Sequence, residues 1–187
     1  MTEDQKYRVR FPTAADVFEA QPQIAEDIVA RPNGEAPVSF VRSLLKSKTP
    51  EEAVTFTAYL LAVREAVWMG HECLIHVKPN LGDSDMEMLN FAEAWVRSPC
   101  EETRNAALEA GMEQNPKSPG AWIALAAGWS SGSMLPPDQH PVTPPDGLVP
   151  RAVNAGILSA LARLDASVRE KTLIDFVEIG LTIIESD

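Results

Sequence analysis

Residues 118–132 read SPGAWIALAAGWSSG, and the conformation of this stretch decides the fold. Its last five letters, Gly128-Trp129-Ser130-Ser131-Gly132, match the G-x-S-x-G pattern of a serine hydrolase. That pattern works when a strand feeds a sharp turn and lifts the serine hydroxyl above a parallel sheet. Here the seven residues from Ala121 to Ala127 are alanine-rich, and Ser118-Pro119 ahead of them is a helix start, a capping hydroxyl followed by proline at the first helical position. After Gly132 comes Met134-Leu135-Pro136-Pro137, which cannot open the helix that a nucleophile turn requires. The stretch is therefore expected to coil, and the glycine-rich letters to mark a helix C-terminus.

The same grammar recurs along the chain. Thr13-Ala14-Ala15-Asp16, Thr49-Pro50-Glu51-Glu52 and Ser98-Pro99-Cys100-Glu101 each set a potential cap before an acidic third position. From Thr49 to about Val77 apolar residues lie nearly all round, which predicts one central helix covered by neighbours. Leu173, Phe176, Val177, Gly180, Leu181 and Ile184 trace a single face of a last helix. Further helices are expected around 84–97, 99–114, 119–129 and 150–163, and a short one behind Pro22 carrying Ile24 and Ile28. Only Tyr7 to Phe11 alternates like a strand, and with no partner strand it is expected to be part of an extended arm over residues 1–12. The expected fold is thus a single all-α domain of seven to nine helices.

Residues 130–150, SSGSMLPPDQHPVTPPDGLVP, contain six prolines, which excludes helix. The roughly 37 residues after it are too few for a core of their own, so this tract is expected to be an ordered strap on the helical body.

The chain has 187 residues, 27 acidic and 16 basic, for a formal net charge of −11. A surface that negative repels phosphate backbones and anionic lipid heads, so neither nucleic acid nor a membrane surface is an expected partner. Two cysteines without paired spacing, Cys73 and Cys100, and no apolar run long enough to span a bilayer point to a cytoplasmic protein.

The candidate chemistry is thin. A triad on Ser130 would have to recruit His140 with Asp138 or Asp146, all within the proline tract. His71 and His76 are five apart on a helix, about 140° around its axis, whereas the metalloprotease pair is four apart. Acidic pairs at helix starts serve the macrodipole, and neither glycine-rich phosphate loop occurs. No catalytic residue, cofactor or metal is assigned. A small-ligand pocket around Trp68, His71 and His76 is a further alternative. Trp68, Trp95, Trp122 and Trp129 fall on expected helices as core residues, with Trp129 placed to clamp Pro136 and Pro137.

Residues 121–155 carry Trp129-Ser130-Ser131-Gly132-Ser133, then Pro136-Pro137, Pro144-Pro145 and Ala152-Val153. The stretch resembles an uncharacterised bacterial helical family with a tryptophan-serine-glycine-glycine-serine signature followed by paired prolines; Ser131 departs from it in place of the first glycine. The resemblance implies an accessory or adaptor role, in some members beside type VI secretion genes, and carries no catalytic residues. The function expected is protein interaction without catalysis, through Trp129, Ser130, Ser131, Gly132, Ser133, Pro136, Pro137, Pro144 and Pro145, with an unidentified protein as partner.

Overall fold

A computed structural model describes residues 10–186. Among the described residues ten α-helices run in the order α1 Ala14–Ala20, α2 Ile24–Asp27, α3 Pro37–Leu44, α4 Glu52–Leu60, α5 Val63–His76, α6 Asp83–Arg97, α7 Glu101–Glu113, α8 Pro119–Gly128, α9 Leu148–Ala162 and α10 Ala166–Ser186. A short 3₁₀ turn, Lys78–Asn80, comes after α5. No strand occurs among the described residues. One continuous cluster of buried apolar side chains takes members from all ten helices.

The enclosed helices are α4, buried at every position, and α8, buried everywhere but Trp122. Helix α8 packs on α5, α6, α7 and α9, and its small residues let them come close. A Cβ at Gly128 would lie 2.6 Å from Leu108 Cα, so only glycine allows α7 and α8 to meet there. Ile123 of α8 fills the gap left by Gly70 of α5 and Gly156 of α9.

The expected central helix from Thr49 to Val77 is two helices. Leu61 and Ala62 are extended (ψ 154° and 158°), and the chain turns between α4 and α5. Contacts remote in sequence, or three residues away, hold this break. Arg10 Nη2 donates to Leu61 O at 3.0 Å, Gln21 Nε2 donates to Tyr59 O at 2.8 Å, and Ala62 N–H donates to Glu65 Oε2 at 2.7 Å. Apolar periodicity reports what is buried and is blind to such a break, because both halves are covered.

Helix starts obey the expected grammar unevenly. Thr13 and Asp16 form the full reciprocal box, with Asp16 N–H to Thr13 Oγ1 and Thr13 N–H to Asp16 Oδ2. Ser118 Oγ accepts from Ala121 N–H, with Pro119 at the first position. Thr49 does not cap α4. Glu52 turns away to accept Val29 N–H at 2.9 Å and Ala30 N–H at 3.3 Å, tying α4 to the segment after α2. Cys100, rather than Ser98, is the residue before α7, and Thr103 Oγ1 donates back to Ser98 O at 2.7 Å.

The count exceeds the expected seven to nine because of the break at residue 61 and because α3 carries no start signal in its letters. Helix α3 opens on Ala36-Pro37 with no capping side chain, yet Pro37, Val38, Phe40, Val41 and Leu44 are all buried. Of the expected arm, residues 1–9 lie outside the described residues, while Arg10 and Phe11 rest against the α4–α5 junction. The last helix buries the face read from the sequence, Leu173, Phe176, Val177, Leu181 and Ile184. At Gly180 a Cβ would meet Thr57 and Met69.

Candidate functional site: the strap and the α5–α10 groove

Helix α8 ends at Gly128, and residues 129–147 cross to α9 as a strap without helix or strand. Its base is organised by two residues. Ser133 Oγ accepts Leu135 N–H and Val142 N–H, both at 3.1 Å, and Met134 N–H donates to Val142 O at 2.8 Å, so the strap doubles back on itself. Arg104 of α7, 4 % exposed, reaches underneath. Its Nη1 donates to Gly128 O at 2.9 Å and Ser133 O at 3.2 Å; its Nη2 donates to Glu101 at 2.8 Å and Asn105 Oδ1 at 2.7 Å.

This geometry gives each letter of the Trp-Ser-Ser-Gly-Ser stretch a place. Trp129 is half-buried, and its indole Nε1 donates to Met134 O at 3.2 Å. Gly132 has φ +67°, a left-handed conformation that costs a side-chain-bearing residue about 1–2 kcal/mol. Ser131 and Gly132 are exposed, and Ser130 is half-buried. At the far end Gly147 (φ +78°) passes so near Gln23 and Tyr59 that a Cβ would lie 3.0 Å from Tyr59 Oη. Tyr59 donates to Asp27 Oδ2 at 2.5 Å, and Arg151 of α9 donates to the same oxygen at 2.7 Å and to Glu26 at 2.8 Å. Burial, then the Asp27 bond and charge, push the Tyr59 phenol well above its ordinary value.

Between its anchored ends the strap is open. Residues 137–143 are all exposed, as are Pro145 and Asp146, while Pro136 and Pro144 are half-buried.

A helix, not a strand, leads into Ser130. Its N–H donates to Ala127 O at 3.2 Å, and its Oγ is buried with no hydrogen-bond partner. His140, Asp138 and Asp146 lie exposed on the strap. Among the described residues no imidazole is hydrogen-bonded to the Ser130 hydroxyl.

A second concave surface lies between α5 and α10, lined also by Val96 and Arg97 of α6. It encloses about 940 Å³. Helix α5 contributes Arg64, Glu65, Trp68, Glu72 and His76; α10 contributes Asp175, Glu178, Ile179, Thr182 and Ile183. Trp68 is backed by His71, whose ring stacks on it at 4.8 Å and 10°. His71 is buried, with Nδ1 2.9 Å from Glu72 Oε1, whereas His76 lines the groove with Nε2 3.3 Å from Asp175. The two histidines are thus separated by the helix, as their spacing requires. Of the ligand pocket expected from sequence, Trp68 and His76 line the groove and His71 supports it from behind. Among the described residues no three His, Cys, Asp or Glu side chains gather as a metal cluster.

Cys73 is buried, its thiol pushed well above its ordinary value by burial and then by Glu72; Cys100 is exposed. No helix is long and apolar enough to cross a membrane among the described residues.

The model of a family of unknown function, DUF6931, matches residues 40–184. The chain belongs to the DUF6931 family. No curated protein and no solved structure matches it. In this DUF6931 chain the matched span takes in the whole strap, its anchor Arg104, and both walls of the groove. The segment before residue 40, with α1 and α2, lies outside the match although it is packed into the same core.

Proposed function

We propose that this DUF6931 protein is a non-catalytic cytoplasmic interaction protein that meets its protein partner through the outer turn of the strap. The observation that carries this reading is the contrast within one loop. The base, Trp129 to Ser133, is bonded to α7 and to itself, while Pro137 to Thr143 stand exposed. A loop already held in one conformation loses little entropy on binding, so its few side chains can be spent on recognition. Pro136, Pro137, Pro144 and Pro145 stiffen it further. The net charge of −11 favours a partner with a basic face. The setting we propose is an accessory role beside a bacterial secretion apparatus, on the resemblance carried by residues 121–155.

The test is affinity capture from a bacterial host that carries the gene, with wild type and a Pro137→Ala, His140→Ala double variant. The captured protein is then purified and titrated against both. Saturable binding to wild type, weakened tenfold or more in a variant of unchanged melting temperature, supports the strap as the contact. Equal affinity for both proteins removes it.

A further inference from the structure

We propose that the partner reads residues 140–145 as a polyproline rod, through a shallow groove lined by aromatic side chains; this rests on the strap being the contact surface. The strap turns twice. Gln139 N–H donates to Pro136 O at 3.0 Å, and Leu148 N–H donates to Pro145 O at 3.2 Å. Between these turns run His140-Pro141-Val142-Thr143-Pro144-Pro145, without helix, strand or turn. Pyrrolidine rings fix φ at Pro141, Pro144 and Pro145. The residue before a proline is pushed to extended backbone, which restricts His140, Thr143 and Pro144. Val142 escapes both constraints and is held instead by its own backbone. Its N–H donates to Ser133 Oγ at 3.1 Å, and its carbonyl accepts Met134 N–H at 2.8 Å. The whole run is thus set extended before any partner arrives.

The donors and acceptors of this run select how it is recognised. A sheet edge cannot pair with it, because its three prolines lack an N–H and that of Val142 is taken by Ser133. The same prolines exclude docking as a helix. What the run presents is ring faces and acceptors. Pro141, Val142, Thr143 and Pro145 are exposed, and Pro144 is half-buried. No donor among the described residues bonds the carbonyl of Pro141 or Thr143. Aromatic side chains pack on proline rings, and an indole N–H or a tyrosine hydroxyl beside them can donate to such carbonyls. With three residues per turn of a polyproline helix, Val142 and Pro145 fall on one edge about 9 Å apart, so the groove carries two slots at that spacing. Asp138 and Asp146, both exposed, bracket the run. The rim of the groove is therefore basic, which also suits the −11 chain.

The test uses the full chain, isotope-labelled for NMR, and a panel of purified small domains with aromatic polyproline-binding grooves, WW domains among them. Half of the panel carries lysine or arginine at the groove rim, and half carries aspartate or glutamate. The expected result is saturable one-to-one binding by members with a basic rim, with shifts confined to the Val142 and Thr143 amides and their neighbours in the strap. Poly-L-proline should displace them, and the acidic-rimmed members should not bind. Pro141→Ala with Pro145→Ala should weaken binding tenfold or more. Should that variant disturb the base of the strap, seen at the Leu135 amide, Val142→Asp keeps every proline and should weaken binding as much. The partner captured through the strap is titrated in the same way. Three outcomes overturn the proposal. No member of the panel binds; binding is indifferent to both variants; or the captured partner is weakened by Pro137→Ala, His140→Ala yet is not displaced by poly-L-proline. In the last case the strap remains the contact and only this mode of recognition is lost, whereas a partner indifferent to every strap variant removes both.

Discussion

Arg104 Nη1 lies 3.2 Å from the carbonyl oxygen of Ser133, so a side chain buried in α7 fixes a loop 29 residues further along. The same nitrogen also holds Gly128 O at the end of α8, and the Arg104 side chain is only 5 % exposed. Arg104→Met should leave two carbonyls short of a donor and cost about 2–4 kcal/mol. Chemical denaturation of both proteins measures the loss, and hydrogen exchange should show the Val142 and Leu135 amides deprotected first.

Gly128→Ala tests the α7–α8 contact. A Cβ there would press to 2.6 Å from the Leu108 backbone, which cannot yield as a side-chain tip would. The expected cost is about 1–3 kcal/mol, the range for overpacking a filled core. Gly82→Ala serves as the comparison, since nothing lies within 4 Å of its would-be Cβ and its φ is negative. Its midpoint should move little.

Asp85 predicts the acid limb of stability. Burial pushes its carboxyl up, but hydrogen bonds from Gly120 N–H, the Ser118 hydroxyl, Arg163 and Gly82 N–H together outweigh that and hold it below the ordinary value. Gly120 N–H donates at 2.9 Å and Arg163 Nη1 at 2.7 Å, so the carboxylate ties the start of α8 and the end of α9 to the start of α6. A carboxyl depressed in the folded state adds stability above its unfolded value near ~3.9, and that stability is lost as pH falls through the folded value. Unfolding free energy measured against pH should therefore drop in this acidic window. Asp85→Asn should lower the plateau at neutral pH and flatten the drop.

Ser130 should not react with a fluorophosphonate probe in the folded protein. Its Oγ is buried, no imidazole among the described residues is hydrogen-bonded to it, and a helix rather than a strand precedes it. Mass spectrometry after incubation reads the outcome directly, and a stoichiometric adduct on Ser130 would restore the hydrolase reading.

Much of the helical plan is legible in the letters, because caps and prolines are local signals. Thr13 and Ser118 both cap as the sequence implies. Glu52 is the instructive exception. The letters around it spell a capping box, but two amides 22 and 23 residues earlier take its oxygens. The missing acid of the Ser118 start is likewise supplied from a distance, by Asp85. Tertiary partners of this kind leave no local trace, and the break at Leu61 is hidden for the same reason.

The order of the strap is legible from its prolines and from the short pair of helices behind it, too small to fold apart. Its organiser is not, since Arg104 looks like any surface arginine of a helix until the loop is laid on top of it. The groove is half visible. Trp68 and His76 stand out in the sequence, but their counterparts on α10 read there as the outer side of an ordinary amphipathic helix.

The latch at the α4–α5 bend has a practical corollary for anyone cutting the gene. Arg10, Gln21, Val29 and Ala30, which close that bend or anchor α4, all precede residue 40, where the family match begins. So do Ala14, Val17, Ile24 and Ile28, which are wholly enclosed by the later helices. A fragment trimmed to the matched span would be cut through the interior of the folded unit, exposing α4 and making it more prone to aggregate than the longer chain.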